Sequence, residues 1–183
     1  GNQYEATYTK DAYNDSVGKS TLEITGNNTL KPLETSADDN YISTGSKIHS
    51  FNIINVKDGS VTTLEGLTTD SAAIIDATGT FVNVDGSAKL DVNALAADGT
   101  SYKVVSTAND GSSFWDDSNL VYDRTVGYAY GEGQTEGNYN VKYKDLDSLT
   151  EDEKTEAVYD FVDSLGEGGE NFEGSFIGII RYV

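Results

Sequence analysis

Glycines recur along this chain at an even spacing, and that spacing limits the folds that the chain can adopt. Gly59, Gly79 and Gly99 follow one another at a constant interval. A second series keeps nearly the same interval and consists of Gly26, Gly45, Gly66 and Gly86. Self-similarity at a fixed period of about 20 residues is typical of proteins that stack repeated units.

Apolar residues keep the same spacing as the glycines. Leu64, Val84 and Val104 each follow a glycine of the first series by five positions. In a parallel solenoid such equivalent residues lie above one another at the strand spacing of about 4.8 Å. The pattern therefore predicts a short right-handed parallel β-helix of about four rungs, with about 20 residues per rung. The glycines would form one corner and the aliphatic residues one core column.

An antiparallel β-sandwich or meander is the alternative that the same spacing allows. Asp-Gly pairs separate many of the short apolar runs, and such pairs suit tight turns because glycine adopts positive φ at little cost. These pairs are Asp58-Gly59, Asp85-Gly86, Asp98-Gly99 and Asp110-Gly111. Hairpins would also recur about every 10 residues, so the spacing by itself does not separate the two architectures.

Both architectures are all-β, and the composition agrees with that class. The 183 residues include 19 glycines and one proline, and short β-branched or aromatic runs alternate with polar residues. The predicted strands are Thr21–Thr25, Ser50–Val56, Val61–Glu65, Ala72–Asp76, Thr80–Val84, Lys89–Asn93 and Ser101–Ser106. Alternation in 119–130 and 139–143 predicts a later hairpin, joined by the loop Gly131–Gly137.

Residues 146–183 change in character, so we predict two parts: a β-solenoid domain over 1–145 and a helix-plus-strand cap over 146–183. Thr150 and Glu153 form a capping-box pattern ahead of an apolar stripe at helical spacing, which predicts a helix over 148–165 that ends at Gly166. The final run Phe176–Val183 is strongly β-prone and predicts a strand.

The net charge and the absence of certain residue types exclude several kinds of partner and metal site. The net charge of −19 disfavours nucleic acid, because phosphate binding requires basic residues. The absence of cysteine excludes disulfides and thiolate metal sites, and a single histidine, His49, is too few for a zinc site. The chain begins with Gly1 and contains no methionine, so we expect it to be a piece of a longer protein.

Residues 79–93 and 99–105, with the sequences GTFVNVDGSAKLDVN and GTSYKVV, carry a family resemblance. They resemble the terminal, stem-like part of bacterial autotransporter passenger domains, which repeat G-x-L-x-V rungs before a G-x-x-Y-x-V-V strand. The later pair Phe114-Trp115 and the run 120–123 are similar to the same region. The resemblance implies a right-handed parallel β-helix at a bacterial cell surface, in a longer chain that includes an outer-membrane β-barrel. Members of the family mostly act as adhesins, self-associating proteins or carriers of proteases and toxins. It carries over no catalytic residue.

A few residues are candidates for binding. Asp38, Asp39 and Asn40 form one group of hard oxygen ligands for calcium, and Asp110, Asp116 and Asp117 form another, although neither matches an EF-hand. Trp115, Tyr128 and Tyr130 could stack on a sugar, although aromatic residues that alternate in a strand more often pack a core. The sequence predicts no bound cofactor, with calcium as the one metal to consider.

The sequence predicts a non-enzymatic structural or adhesive module that is secreted or exposed at a cell surface. Its partner would be a surface protein or glycan of a host or sister cell. One alternative is a β-sandwich module that binds a glycan or calcium. A second is a polysaccharide-degrading enzyme that uses Asp116 and Asp117 as a carboxylate pair.

Overall fold

A computed structural model of the protein describes residues 6–7, 20–32 and 46–165. Twelve strands are assigned in this part of the chain: β1 (Ala6–Thr7), β2 (Thr21–Ile24), β3 (Asn27–Leu30), β4 (Ile53–Val56), β5 (Val61–Leu64), β6 (Ile75–Asp76), β7 (Phe81–Val84), β8 (Lys89–Asp91), β9 (Asp98–Ser106), β10 (Leu120–Val121), β11 (Gly127–Glu132) and β12 (Tyr139–Asp145). One α-helix, α1 (Glu151–Ser164), follows them.

The strands form three four-stranded sheets. Sheet A has the order β1-β2-β4-β7, sheet B the order β10-β8-β5-β3, and sheet C the order β11-β12-β9-β6. Sheet B is parallel throughout, and sheet A is parallel except for the antiparallel pair β1–β2. Sheet C is mixed, because β6 pairs with β9 in parallel whereas β9, β12 and β11 pair antiparallel.

Parallel pairing stacks like residues above one another in the core. Leu22, Ile54 and Val82 are register partners in sheet A, and each is fully buried. Leu30 and Leu64 are partners in sheet B and are buried in the same way. Every second residue of these strands points inward, as the period-two alternation of a strand requires, so each sheet contributes columns of aliphatic side chains to one continuous core.

The predicted glycine register is wrong. Ile53 pairs with Phe81, and Val61 pairs with Lys89, so in both cases the chain travels well beyond the predicted period before it returns to the same sheet. The predicted column Leu64, Val84 and Val104 is split among β5 of sheet B, β7 of sheet A and β9 of sheet C. One strand with its turn takes about 10 residues, so twice that spacing leads from one sheet to another.

The predicted fold class is wrong as well. We expected an all-β, right-handed parallel β-helix with a C-terminal helix-plus-strand appendage. The helix is present, but sheet C is mixed, because β9, β12 and β11 pair antiparallel, so the described chain is not an all-β parallel solenoid. With the 3-10 turns counted together with α1, about 17% of the described residues are helical, and 38% lie in strands. The antiparallel sandwich or meander fails for the opposite reason, because β2, β4 and β7 pair in parallel, as do β3, β5, β8 and β10.

The predicted hairpin is present with a later start. β11 and β12 pair antiparallel from Gly127↔Asp145 to Glu132↔Asn140. The preceding residues Leu120 and Val121 instead form β10 and pair in parallel with Leu90 and Asp91 of β8 in sheet B. The alternating pattern in the sequence joins β10 and β11 into one predicted strand, because both are half-buried and similar in composition.

Helix α1 confirms the prediction made from its N-terminal pattern. The Thr150 side chain accepts a hydrogen bond from the Glu153 amide, and the Glu153 carboxylate accepts one from the Thr150 amide. This capping box satisfies two amides that lack partners within the helix. Val158 and Val162 are buried, and Lys144 of β12 forms an ion pair of 2.8 Å with Glu153. The division of the chain at residue 145 stays a prediction.

A recurrent aspartate turn closes many of the corners. In six places an aspartate Oδ1 accepts a hydrogen bond of 2.9–3.0 Å from the amide two positions later. The six aspartates are Asp76, Asp91, Asp98, Asp116, Asp123 and Asp145. Such turns satisfy backbone groups at a change of direction. The side-chain and backbone hydrogen bonds from a threonine two positions on lower the pKa of Asp76, Asp98 and Asp123.

Several predictions fall outside the described residues. These are the strand Phe176–Val183, the helix end at Gly166, and the calcium candidates Asp38, Asp39 and Asn40.

Candidate functional site

A cleft lies between the β11–β12 hairpin, the segment before β10, and helix α1, and we call it the main cleft because it is the larger of the two clefts described below. It has a volume of about 470 Å³. Asp116 and Asp117 line it from one side, and Asp160 and Asp163 of α1 line it from the other. Ser112, Ser113, Phe114, Trp115 and Gln134 complete the lining. The cleft therefore collects carboxylates, and among the described residues no lysine, arginine or histidine lines it.

Asp116 and Asp117 belong to a short 3-10 turn over Asp117–Asn119. Asp116 caps this turn, because its Oδ1 accepts hydrogen bonds from the amide and hydroxyl of Ser118 at 2.9 and 2.7 Å. The carboxylate of Asp117 binds outside the turn, because its Oδ1 accepts a hydrogen bond of 2.8 Å from the amide of Gly131 in β11. The two adjacent aspartates are thus fixed separately, one to its own turn and one to the hairpin.

Asp160 enters the cleft from α1 and joins the helix to the hairpin. Its Oδ2 accepts a hydrogen bond of 2.7 Å from the Tyr128 hydroxyl. Tyr128 is buried, and its ring centroid lies 5.2 Å from that of Tyr130, which is half-buried. Hence Tyr128, predicted as a sugar-stacking residue, holds the helix against the sheet through its hydroxyl group.

Burial and like charge shape the acidity of the cleft. Burial is the main cause that raises the pKa of Asp117 to about 6, with further contributions from the negative charges of Asp160, Asp116 and Glu156. The hydrogen bond from Gly131 opposes this rise. Burial also raises the pKa of Asp160, and the Tyr128 hydroxyl offsets part of that change. A carboxyl group with a pKa near 6 can hold or release a proton near neutral pH.

An aromatic cluster lies beneath the acidic residues. Trp115 is 2% exposed, and its ring centroid lies 5.7 Å from that of the fully buried Tyr139. Phe114 stacks on the same tyrosine at 5.4 Å and is partly exposed to the cleft. Within the described chain, neither the indole N–H of Trp115 nor the hydroxyl group of Tyr139 has a hydrogen-bond partner. Because Trp115 is buried, Phe114 offers the accessible aromatic surface.

The structure brings together part of the predicted set. Trp115, Asp116 and Asp117 line the main cleft, and Tyr128 contacts it through Asp160. Asp110 lies instead on an exposed turn beside Gly111 and is not among the lining residues. Asp110, Asp116 and Asp117 are therefore not grouped around one point.

Helix α1 contributes carboxylates to the cleft that no motif in the sequence indicates. Asp160 follows Ala157 by three positions, which places it at the border of the apolar stripe of the helix. This position is the one indication in the sequence, because a polar residue at the edge of the stripe is half-buried and contacts the surface on which the helix packs. Which part of the chain it meets depends on how α1 docks, and a helical pattern alone does not specify that.

Metal-binding clusters and membrane-spanning helices are not found in the described ranges. No group of three or more His, Cys, Asp or Glu residues in 6–7, 20–32 and 46–165 is arranged to hold a metal ion. In the same ranges we find no helix with the length and apolar character needed to cross a membrane. The chain matches no known family model, no curated protein and no solved structure.

Proposed function

We propose that this chain is a rigid, non-enzymatic structural module of a secreted or cell-surface protein. It would hold its turns in fixed positions for contact with a surface protein or glycan of another cell. The observation that supports this proposal is the layered core, in which residues such as Leu22, Ile54 and Val82 stack with no exposed surface. Such packing resists local opening, because each layer is buried by the next.

The turns are also tied to one another between layers. Asp58 Oδ1 accepts hydrogen bonds from the amide and hydroxyl of Ser87 at 3.0 and 2.9 Å. In return, the Gly59 amide donates to Ser87 Oγ at 3.1 Å, and the Asp58 amide donates to Asp85 Oδ2 at 3.2 Å. Two exposed turns that are distant in the sequence therefore support each other, which favours a fixed display surface.

The location and the parent protein rest on the sequence resemblance alone. Membership of an autotransporter-like chain would be tested by the flanking sequence of the full gene product. A signal peptide upstream and alternating strands of about 10 residues downstream would support it. Their absence would count against this part of the proposal and leave the structural role to be tested separately.

Adhesion of coated beads tests the structural role directly. Beads that carry the purified chain should bind cultured cells or sister bacteria more than beads coated with an unrelated protein of similar net charge. The chain should also resist limited proteolysis over 46–165. Loss of resistance in Asp58→Ala, with Asp110→Ala as the control on another exposed turn, would support the role of linked turns. Binding no greater than that of the control beads would contradict the proposal.

Hydrolysis of a polysaccharide is a second candidate, favoured by the raised pKa of Asp117 in an open cleft. A protonated Asp117 could act as a general acid, with Asp160 or Asp116 as the ionised partner. Turnover should then fall about 100-fold or more in Asp117→Asn, as is usual for loss of a general acid. Asp110→Asn is the matched control, because Asp110 lies outside the cleft. No turnover across a broad polysaccharide panel would exclude this candidate.

A further inference from the structure

A second cleft differs from the first in its charge. It has a volume of about 230 Å³ and lies where the 3-10 turn, β10 and the end of α1 meet. Lys89 and Arg124 line it, together with Ser118, Asn119 and Ser164. Among the described residues no carboxylate lines this cleft, whereas the main cleft collects carboxylates.

Arg124 is held in a fixed orientation beside this cleft. Its Nη1 donates a hydrogen bond of 2.7 Å to the Tyr122 hydroxyl, and its Cζ lies 4.5 Å from the centroid of the Tyr122 ring. The centroid of the Phe161 ring of α1 lies 5.6 Å from the same atom. A guanidinium group has five N–H donors, and within the described ranges the hydrogen bond to Tyr122 leaves most of them for another acceptor.

Neither cation of this cleft is paired with a carboxylate in the part of the chain that the structure describes. The chain has 12 lysines and arginines against 31 aspartates and glutamates. Within the described ranges, ion pairs occupy five lysines: Lys31, Lys57, Lys142, Lys144 and Lys154. Lys89 and Arg124 form no such pair there. Burial raises the pKa of Asp160, and Arg124 offsets part of that rise, yet the two side chains are not within ion-pair distance.

We propose that this cleft binds the carboxylate group of a small anionic ligand between the Lys89 ammonium and the Arg124 guanidinium. A planar carboxylate matches the forked donors of arginine. Ser164 donates its hydroxyl hydrogen to the Phe161 carbonyl, and Asn119 donates to the Gly86 carbonyl. Their remaining acceptor atoms suit ligand hydroxyl groups. The cleft is smaller than the pockets of roughly 300–1,000 Å³ that hold drug-sized ligands, so the ligand is small.

The proposal goes beyond the structural role and does not depend on it. A titration of the full chain, followed by amide chemical shifts, compares glucuronate with glucose, which has the same ring without the charge. Ionic strength is set at about 0.1 M, where a screening length of about 10 Å limits repulsion by the net charge. Glucuronate should shift amides of 118–124, and glucose should not. Acetate as a third probe distinguishes a sugar acid from a simple carboxylate, since only the former uses hydroxyl acceptors.

Lys89→Gln tests the contact with little risk to the fold, because Lys89 is exposed. We expect it to weaken glucuronate binding about fivefold, which corresponds to roughly 1 kcal/mol. Lys103→Gln is the matched control, an exposed lysine without an ion pair among the described residues, and should leave binding unchanged. Arg124→Gln should abolish binding, with helix content checked by circular dichroism. Equal shifts with glucose, no shift with glucuronate, or equal losses in Lys89→Gln and Lys103→Gln would overturn the proposal.

Discussion

Two buried threonines should respond in opposite ways to the same substitution. Thr62 in β5 and Thr80 just before β7 are both 0% exposed. The Thr80 hydroxyl donates a hydrogen bond to the Phe51 carbonyl. Across the described part of the chain, the Thr62 hydroxyl has no partner. Thr62 therefore buries a polar group without compensation, whereas Thr80 does not.

Replacement by valine keeps the branched shape and exchanges the hydroxyl group for a methyl group. In Thr62→Val the unpaired hydroxyl is removed, and Leu90, its register partner in sheet B, gains an apolar neighbour. We expect the free energy of unfolding to rise by about 1 kcal/mol, at the low end of the penalty for an unsatisfied buried group. In Thr80→Val a hydrogen bond is lost, and the free energy of unfolding should fall by about 1 kcal/mol.

Urea denaturation, followed by the fluorescence of the buried Trp115, measures both changes. Thermal unfolding is the second assay: in a chain of this size, about 1 kcal/mol shifts the melting temperature by about 2–4 °C, so the melting temperatures of the two variants should differ by about twice that. The slope of the unfolding free energy against urea should stay constant, which excludes a change in the unfolded state. If Thr62→Val is destabilised by as much as Thr80→Val, stability in these layers does not depend on whether the buried hydroxyl group is hydrogen-bonded.

Two further predictions concern the acidic cleft and one glycine turn. The raised pKa of Asp117 means that its ionised form opposes folding, so stability should increase as the pH falls from about 7.5 to 5, by about 1 kcal/mol after allowance for solvent screening. In Asp117→Asn the melting temperature should rise less over this pH range. A rise equal to that of the unmodified chain would show that Asp117 is not the group responsible. Gly137→Ala should destabilise the chain by about 3 kcal/mol or more, because its φ is +74° and a Cβ there would collide with the Ala108 carbonyl oxygen. Gly59→Ala, with the same φ and open space around it, should lose only about 1–2 kcal/mol in the same denaturation assay, and equal losses would show that the collision does not matter.

Local structure was largely predictable because its causes lie within a few residues. The capping box of Thr150 and Glu153 and the apolar stripe after it specify α1 by themselves. Six of the predicted strands contain β2 and β4–β8, with small shifts at their ends. The recurrent aspartate turns could also have been found, since the aspartate and the amide that it binds are two positions apart.

The candidate site was only partly predictable. Asp116 and Asp117 are adjacent in the chain and beside Trp115, so their grouping follows from the sequence. Asp160 lies much further along the chain and reaches the cleft because α1 packs against the hairpin, where Tyr128 binds it. The raised pKa of Asp117 likewise depends on burial and on charges from the helix, which exist only after docking.

Local residue patterns specify which segments become strands, which becomes a helix, and where the corners fall, because backbone propensities, capping and turn residues act over a few positions. The pairing of the strands, in contrast, depends on contacts between residues that are distant in the sequence. Stacking Ile54 on Val82 requires the chain to pass through sheets B and C before it returns to sheet A, while the glycine spacing marks corners that belong to different sheets. Parallel and antiparallel pairing would give the same turn spacing. The observed parallel pairing in sheets A and B is favoured because it buries complete columns of aliphatic side chains.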